Sequence, residues 1–315
     1  LADFLVYGKE SGLTQSSYHD VFESSDGYWW LGSSNGLFRF DGKRFRQIIS
    51  WYADPNSPAD NNIVDIEEDR NGNLWLAGFT SGLSKYNLRT GKFTQYRQLG
   101  ADSAALRGSF CFTLDSENNL WVGTAGLGLA MYDAGKDNFI VYPVPQNNPL
   151  SKSGNHLQVT GICEDEADKN ILWISSFDGL YQFNKKTKTF FFIDADYPLQ
   201  ENGAPLKTFL CMEQSPGSLF MGTWFAGLVR YDKQTNSFNR IAKLVDGKPA
   251  YNYGTLDIQL YADSLLYLAC MNQGLLSYNI NSQIISEKLT QKDVPQLNAQ
   301  INIQRVSIAG SSGFF

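Results

Sequence analysis

Apolar and aromatic positions recur along this 315-residue chain in six copies of one pattern. In each copy an aromatic residue is followed six or seven positions later by Gly-Leu, and then by an aromatic residue next to Asp or Asn. Successive copies are 45 to 52 positions apart, a period typical of β-propeller blades. The first position of the pattern holds, in order, Trp30, Trp75, Trp121, Trp173, Phe220 and Tyr267.

Each copy predicts four short antiparallel strands, here called a to d. Strand a is marked by an apolar residue nine positions before the first aromatic, such as Val21 or, in blade five, Cys211. Blade four fits with Ile162 if its a–b turn is two residues longer. Strand b usually carries a small residue two positions after its aromatic, which would let neighbouring sheets approach closely. Strand d is marked by Phe45, Phe93, Phe139, Phe190, Phe238 and Ile285.

The pattern predicts an all-β fold, a β-propeller of four-stranded antiparallel blades with six complete repeats and the start of a seventh. We expect residues 1–315 to form this single domain, as a fragment of a longer, seven-bladed protein. A strand over residues 4–7 is expected to close the last blade, because closure removes an exposed sheet edge. The predicted blades cover approximately residues 14–50, 60–98, 107–143, 157–194, 206–242 and 254–287, with a partial blade at 299–315.

Composition excludes several classes of function. The net charge is −6 and no basic run occurs, so nucleic acid is not an expected partner. No apolar run reaches the length of a membrane span, so we expect no membrane insertion by this segment. Four cysteines lie in predicted strands without metal spacing, and we expect them to act as small apolar fillers. A disulfide between blades is the alternative, but inner strands of adjacent blades usually stand too far apart.

No catalytic, metal or cofactor motif is apparent. The two histidines, His19 and His156, lie in the connections that lead into strand a and have no metal-ligand spacing. Asp69, Asp115 and Asp232 occupy repeated turn positions, where hydrogen bonding within the turn explains a carboxylate better than catalysis does. We therefore expect neither a metal ion nor a cofactor.

The d–a connections and the b–c turns emerge on the same face of an antiparallel meander. The d–a connections are long and all different, which favours this face as the binding face. Aromatic rings outside the repeated positions can stack on sugars there, and polar side chains can bind hydroxyls, carboxylates or sulfates. Packing of a long loop and contact with another protein domain are the alternatives. The candidate ligand-binding residues are Trp51, Phe79, Arg107, His156, Phe177, Lys207, Trp224, Phe225, Asn252 and Tyr253.

The segment Asp69 to Phe93, which reads Asp-x-x-Gly-x-Leu-Trp-Leu-x-Gly and ends in Thr-Gly-Lys-Phe, resembles the two-component-regulator propeller repeat. Residues 11–32 are similar to the first repeat of that family. The resemblance implies the periplasmic sensor region of a bacterial histidine kinase, which often detects carbohydrate breakdown products. It also implies a neighbouring propeller or immunoglobulin-like domain, and a homodimeric parent protein.

Three functions compete. The first is a non-catalytic sensor that binds an oligosaccharide, and the second is a scaffold that binds only protein. The third is a propeller enzyme of the lyase or lactonase type, since such enzymes share the Asp-x-x-Gly-x-x-Trp strands. That enzyme class needs histidines or metal-binding carboxylates that converge on the channel, and the two unpatterned histidines disfavour it.

Overall fold

The computed structural model describes residues 7–14, 17–99, 104–105, 108–143, 158–200, 206–245, 248–250, 253–271, 273–289, 308–309 and 313–314. The described residues form six four-stranded antiparallel sheets in a ring, and their only helical element is a 3-10 turn at Lys9–Ser11. The predicted all-β propeller architecture is therefore confirmed.

Within each blade the four strands are paired in the order of the chain, from an inner strand to an outer strand at the rim. Blade one consists of β1 (Tyr18–Glu23), β2 (Trp29–Ser33), β3 (Gly36–Phe40) and β4 (Phe45–Ile48). Blade two consists of β5 (Ile63–Glu68), β6 (Asn73–Gly78), β7 (Leu83–Asn87) and β8 (Lys92–Tyr96). A short pair, β9 (Gln98–Leu99) and β10 (Ala104–Ala105), precedes blade three, which consists of β11 (Ser109–Leu114), β12 (Leu120–Thr124), β13 (Leu129–Asp133) and β14 (Asn138–Tyr142).

The second half of the chain repeats the arrangement. Blade four consists of β15 (Val159–Glu164), β16 (Ile171–Ser176), β17 (Gly179–Asn184) and β18 (Thr189–Phe192). Blade five consists of β19 (Cys211–Ser215), β20 (Ser218–Gly222), β21 (Leu228–Asp232) and β22 (Ser237–Ile241). After the pair β23 (Lys243–Val245) and β24 (Lys248–Ala250), blade six consists of β25 (Gly254–Tyr261), β26 (Leu265–Met271), β27 (Gly274–Asn279) and β28 (Ile284–Leu289).

Only parts of the predicted closing elements are described. In the seventh repeat, β29 (Ile308–Ala309) pairs with β30 (Gly313–Phe314), and the rest of residues 299–315 lies outside the described residues. Residues 4–6 of the predicted N-terminal strand also lie outside them. Tyr7 is described, and its ring packs edge-on against Phe40 and Phe45 of blade one, with ring centroids 5.1 and 5.6 Å apart.

The hydrophobic core lies between blades. Trp75 of blade two is fully buried and packs against Tyr132 of blade three, with ring centroids 4.6 Å apart. Its indole Nε1 donates a 2.9 Å hydrogen bond to Asp69 Oδ2 in the a–b turn. Trp121 makes the same bond to Asp115 at 2.9 Å. The repeated carboxylate thus anchors both its turn and the buried tryptophan.

The small residues of strand b allow the predicted close approach. A Cβ on Gly32 would fall 2.8 Å from the Ile63 carbonyl oxygen, and one on Gly222 would overlap the Thr255 carbonyl. Both carbonyls belong to strand a of the next blade. Glycine at strand b therefore sets how tightly consecutive blades pack.

The register of strand a shows that the sequence prediction is wrong in blade five and correct in blade four. In blade five Phe220 pairs with Glu213, so Met212 occupies the strand-a apolar position and Cys211 precedes it. The a–b turn of blade five is one residue shorter than the repeat, which is why the nine-residue rule is wrong there. Blade four has the longer turn that the sequence predicts, because Glu164 pairs with Leu172 across residues 165–171.

The four cysteines are free thiols. Cys111 and Cys211 occupy the same register position, and each sulfur points at a strand-a carbonyl of the next blade, Val159 at 4.0 Å and Thr255 at 3.8 Å. Burial raises the pKa of the Cys163 thiol well above its ordinary value. None of the four forms a disulfide, and Cys270 is fully buried as expected, whereas Cys111 and Cys211 border the central cavity.

Candidate binding face and central channel

The six inner strands that the structure describes line a central cavity of about 370 Å³. Its lining forms three layers along strand a. The first layer contains Asp20, Asp65, Cys111, Gly161, Cys211 and Asp257. The second is apolar and contains Val21, Ile66, Phe112, Ile162, Met212 and Ile258. The third contains Phe22, Glu67, Glu213 and Gln259.

Carboxylates of the first layer join neighbouring blades. Asp20 Oδ2 accepts a 2.6 Å hydrogen bond from the backbone N–H of Ile66 in blade two. Asp65 Oδ2 accepts a 2.6 Å bond from the backbone N–H of Phe112 in blade three. Both carboxylates are buried. Each satisfies a backbone donor that the edge of an inner strand would otherwise bury without a partner.

The carboxyl group of Glu213, in the third layer, has a raised pKa. Burial, followed by the charge of Asp257, raises the pKa of Glu213 to about 7, although backbone N–H groups of Gln214 and Leu260 lower it. Leu260 belongs to blade six, so Glu213 also bridges two blades. The carboxyl changes charge close to neutral pH.

One position in each b–c turn borders the mouth of this channel. In blades one to four its backbone N–H donates to the residue that immediately precedes strand a of the same blade: Ser34 to Ser17, Phe79 to Asn62, Ala125 to Gly108 and Phe177 to Gln158. Because strand a lines the channel, these residues encircle its end. Each of these residues lies four positions after the strand-b aromatic, and the same count places Trp224 at the equivalent position of blade five. We call Ser34, Phe79, Ala125, Phe177 and Trp224 the mouth positions.

The mouth position of blade five carries the most prominent ring. Trp224 is 42% exposed and Phe225 is 73% exposed, and their ring centroids are 6.3 Å apart. Thr223 holds the turn, since its hydroxyl donates to the Gly227 carbonyl at 2.9 Å and accepts from the Ala226 N–H at 3.0 Å. Two aromatic rings are thus presented to solvent on a turn with a fixed backbone.

Tyr253, a predicted ligand-binding residue, is only 2% exposed. Its ring packs on Gly227, where a Cβ would fall 2.7 Å from the ring, and its carbonyl accepts a 2.9 Å bond from the Gly227 N–H. The Thr255 N–H donates to the Thr223 carbonyl at 2.8 Å. Tyr253 therefore supports the turn that carries Trp224 and presents no ring face of its own.

The turn that carries Phe79 is held by a carboxylate from the preceding connection. Buried Asp60 Oδ2 accepts bonds from the backbone N–H groups of Thr80 at 2.6 Å and Ser81 at 2.8 Å, and from the Thr80 hydroxyl at 2.8 Å. Phe79 is 43% exposed. A d–a connection and a b–c turn thus form one rigid unit beside the mouth.

Phe177 lies beside the connection that carries Lys207. The Phe177 carbonyl accepts a 3.2 Å bond from the Thr208 hydroxyl, which places the start of the next connection beside the mouth. The Lys207 ammonium lies 4.9 Å from the centroid of the Tyr197 ring. Burial lowers the pKa of Lys207 and raises that of Asp178, which follows Phe177 in the turn.

Trp51 lies apart from the mouth. It is 63% exposed, in a connection whose Asn56 side chain accepts a 2.8 Å bond from the Phe93 N–H on β8, the outer strand of blade two. The same connection brings Tyr52 within 5.7 Å of the Arg97 guanidinium. Trp51 and Tyr52 form a separate aromatic site at the rim.

Three predicted site residues, Arg107, His156 and Asn252, lie outside the described residues. His19 is described, and it lies within β1 at a register shift rather than in a connection. No three His, Cys, Asp or Glu side chains come close enough to hold a metal ion within the part of the chain that the structure describes.

The sequence interpretation missed the channel carboxylates. A signal was present, because an aspartate directly precedes the apolar strand-a position in Asp20-Val21, Asp65-Ile66 and Asp257-Ile258. It is incomplete, since the equivalent positions hold Cys111, Gly161 and Cys211. Aspartate at three of six copies therefore gives no strict repeat to detect.

Comparison with known proteins supports the propeller assignment. Residues 57–80 match the family model described as "Two component regulator propeller". No curated protein matches the chain significantly. Among the described residues no helix is long and apolar enough to cross a membrane.

Solved structures share the fold at low sequence identity. The extracellular domain of the putative hybrid two component system BT3049 from B. thetaiotaomicron is 19% identical, with a TM-score of 0.75 over 96% of this chain and 39% of that chain. That of BT4673 from the same organism is 18% identical, with a TM-score of 0.72 over 97% of this chain and 37% of that chain.

A third structure belongs to PorZ of Porphyromonas gingivalis, described as an essential bacterial surface component of the type-IX secretion system. It is 16% identical, with a TM-score of 0.68 over 93% of this chain and 44% of that chain. This chain therefore spans about two fifths of the length of the structures that it matches. The resemblance found in the sequence is confirmed: the chain carries the two-component-regulator propeller repeat and shares its fold with extracellular domains of two-component systems.

Proposed function

We propose that this chain is the ligand-sensing propeller of a two-component histidine kinase, located in the periplasm, and that it binds an oligosaccharide without chemical turnover. The exposed rings of Phe79 and Trp224 and the partly exposed ring of Phe177 carry this proposal, because they occupy equivalent mouth positions around one channel. Rings held by fixed backbones suit stacking on the apolar faces of pyranose units.

Signal output requires partners that this chain does not itself supply. We propose contact with a neighbouring propeller or immunoglobulin-like domain of the parent chain, and homodimerisation of the parent. The resemblance of residues 69–93 to the two-component-regulator propeller repeat supports these partners.

Calorimetric titration of the protein with a panel of neutral oligosaccharides tests the proposal. A binding sugar should lose about tenfold in affinity in Trp224→Ala, since one stacked ring contributes about 1 kcal/mol or more. Trp51→Ala is the matched control, because it removes another exposed tryptophan that lies at the rim and not at the mouth. Equal losses in both variants would contradict a binding site at the channel mouth.

The rim site favours a second candidate function, a protein-binding scaffold. Trp51 is 63% exposed and Tyr52 is 92% exposed, and neither is at the mouth. A folded protein that binds no sugar, but whose association with a neighbouring domain weakens in Trp51→Ala, would favour the scaffold over the sensor.

A further inference from the structure

A groove of about 460 Å³ lies between the turns of blades one and two, on the face of the ring opposite the channel mouth. Its lining includes Ser25 and Asp26 from the a–b turn of blade one and Asn71 from the a–b turn of blade two. Leu88 and Arg89 from the c–d turn of blade two complete it. Because a–b and c–d turns leave an antiparallel meander at the end opposite the b–c turns, the groove and the mouth are separate sites.

A lysine side chain crosses the equivalent space between blades three and four, and another does so between blades four and five. Lys185, the first residue after β17, binds Asp115 in the turn of blade three at 2.9 Å and Glu164 of its own blade at 2.7 Å. Lys233, the first residue after β21, binds Asp165 in the turn of blade four at 2.7 Å. In both pairs of blades the lysine therefore occupies the gap between the turns.

Leu88 stands at this position in blade two, as the first residue after β7. Its backbone N–H donates to the Gly72 carbonyl at 3.0 Å. In blade four the Lys185 N–H donates in the same way to the Asn170 carbonyl, at 2.7 Å. The backbone thus follows the same path in both blades, and the leucine side chain is too short to cross to the preceding blade. The groove is the space that a lysine fills between blades three and four.

The bonds beside the groove show that blades one and two are joined as closely as blades three and four. The Ser25 backbone N–H donates to a Glu68 carboxylate oxygen at 2.6 Å, and the Ser25 hydroxyl donates to the other oxygen. Ser116 of blade three binds Glu164 of blade four through the same two groups, at 3.3 and 3.0 Å. The open groove therefore follows from the exchange of lysine for leucine, and not from a wider separation of the blades.

The lining combines an apolar surface with groups that can bind a carboxylate and hydroxyls. Leu88 packs partly buried on the cluster that contains Trp30, and supplies the apolar surface. Arg89 enters from blade two, and a guanidinium binds a carboxylate through two parallel hydrogen bonds. Asp26 enters from blade one, where the Ser24 hydroxyl donates to its Oδ1 at 2.5 Å and orients it. A carboxylate accepts from hydroxyl groups, and the Asn71 amide can both donate to them and accept from them.

We infer that this groove is a second binding site, which takes a small hydroxylated carboxylate about the size of a monosaccharide. The carboxylate of the ligand pairs with the Arg89 guanidinium, its hydroxyls bond to Asp26 and Asn71, and its apolar face lies over Leu88. Because the groove lies on the face opposite the mouth, this site goes beyond the proposed oligosaccharide site and does not depend on it.

Calorimetric titration with sodium glucuronate as the probe, and with glucose and glucosamine for comparison, tests the inference. We expect glucuronate to bind with a dissociation constant on the order of 1 mM, because the groove is open to solvent. Glucose and glucosamine, which lack the carboxylate, should bind at least about tenfold more weakly. Arg89→Gln should weaken glucuronate binding by at least about tenfold. Lys186→Gln is the matched control, since Lys186 is an exposed cation at the same turn position in blade four, where Lys185 fills the gap.

Leu88→Lys closes the groove with a side chain that the fold already accepts at this position. Glu68 occupies the place in blade two that Glu164 occupies in blade four, so the new ammonium should reach Glu68 as Lys185 reaches Glu164. We expect the variant to fold with an unchanged or higher melting temperature and to lose glucuronate binding. If the variant does not fold, Arg89→Gln gives the second reading.

Several outcomes would overturn the inference. One is glucuronate binding that survives in folded Leu88→Lys, and another is equal binding of glucose and glucuronate. Equal losses in Arg89→Gln and Lys186→Gln would show a general effect of surface charge instead of a site. Loss of glucuronate binding in Trp224→Ala would place the probe at the channel mouth, so the second site would be wrong while the sensor function survives. Failure of glucuronate to bind at all would also remove only the second site.

Discussion

The bond between Asp69 and the Trp75 indole allows a quantitative test of what holds a blade together. Asp69 is buried, and Oδ2 accepts from Trp75 Nε1 at 2.9 Å while Oδ1 accepts from the backbone N–H groups of Asn71 at 2.9 Å and Asn73 at 3.1 Å. Asp69→Ala leaves a fully buried indole N–H without an acceptor. An unsatisfied buried donor costs about 1–3 kcal/mol, and lost turn bonds to a charged acceptor add to this, so we expect a total loss of about 3 kcal/mol.

Blade one provides the conservative variant. There Ser24 replaces the aspartate, and its hydroxyl accepts from Trp30 Nε1 at 2.8 Å. Asp69→Ser should therefore retain an acceptor for the indole and lose about 1 kcal/mol, mainly from the weaker turn bonds. Urea denaturation followed by tryptophan fluorescence and circular dichroism measures both losses, provided that the two signals coincide and the slope with denaturant is unchanged.

A double-mutant cycle isolates the indole bond. In a Trp75→Phe background the N–H is absent, so Asp69→Ala should cost less by about 1–2 kcal/mol than it does in the wild type. Equal costs in both backgrounds would refute the reasoning, because the carboxylate would then act on the turn alone. Equal losses for Asp69→Ser and Asp69→Ala would refute the proposed equivalence of serine in blade one.

The packing, ionisation and redox properties of the blades give three further predictions. Gly222→Ala should cost about 1–3 kcal/mol in urea denaturation because the new methyl overlaps the Thr255 carbonyl, whereas Gly135→Ala in an exposed turn should change little. Burial alone would raise the pKa of Asp165, but hydrogen bonds from Lys233 and Trp173 lower it to about 2, so its stabilisation of about 2 kcal/mol is present above about pH 4 and is lost as the pH falls towards 2. Lys233→Met should reduce that acid sensitivity, and an unchanged profile between pH 4 and 2 would contradict the assignment. A thiol reagent should label Cys270 far more slowly in the native protein than in the urea-unfolded chain, and rapid native labelling would contradict its burial.

The repeated positions could be predicted from the sequence because the same packing requirement recurs in all six blades. The strand-d markers Phe45 to Ile285 all lie in outer strands, and the strand-b glycines face the next blade as expected. The nine-residue spacing between strand a and the strand-b aromatic fails in blade five because the a–b turn there is one residue shorter. A rule with a fixed spacing cannot account for such a change in turn length. Blade six lacks the turn glycine, and Ala262 and Asp263 instead adopt positive φ values of 48° and 57°. The turn conformation thus persists where its usual residue is lost.

The candidate site was harder to predict because exposure depends on contacts between distant segments. Tyr253 and Trp224 both look like loop aromatics in the sequence, yet one packs on Gly227 and the other is exposed. Which ring is free follows from the backbone bonds between residues 253–255 and the turn at 223–227, and these bonds join two different blades. Sequence spacing carries no information on that pairing.

The turn that carries Trp224 is bonded to the inner strand of the next blade. Trp224 sits on a turn whose Thr223 carbonyl accepts from Thr255, the second residue of strand a in blade six. The same strand contributes Asp257 to the channel lining, and its Leu260 N–H binds Glu213 of blade five. If the chain is the proposed sensor, a ligand that contacts Trp224 would act on this interface between blades five and six. Packed interfaces shift between discrete arrangements rather than deforming continuously, so the proposed signal to a neighbouring domain would pass through this interface.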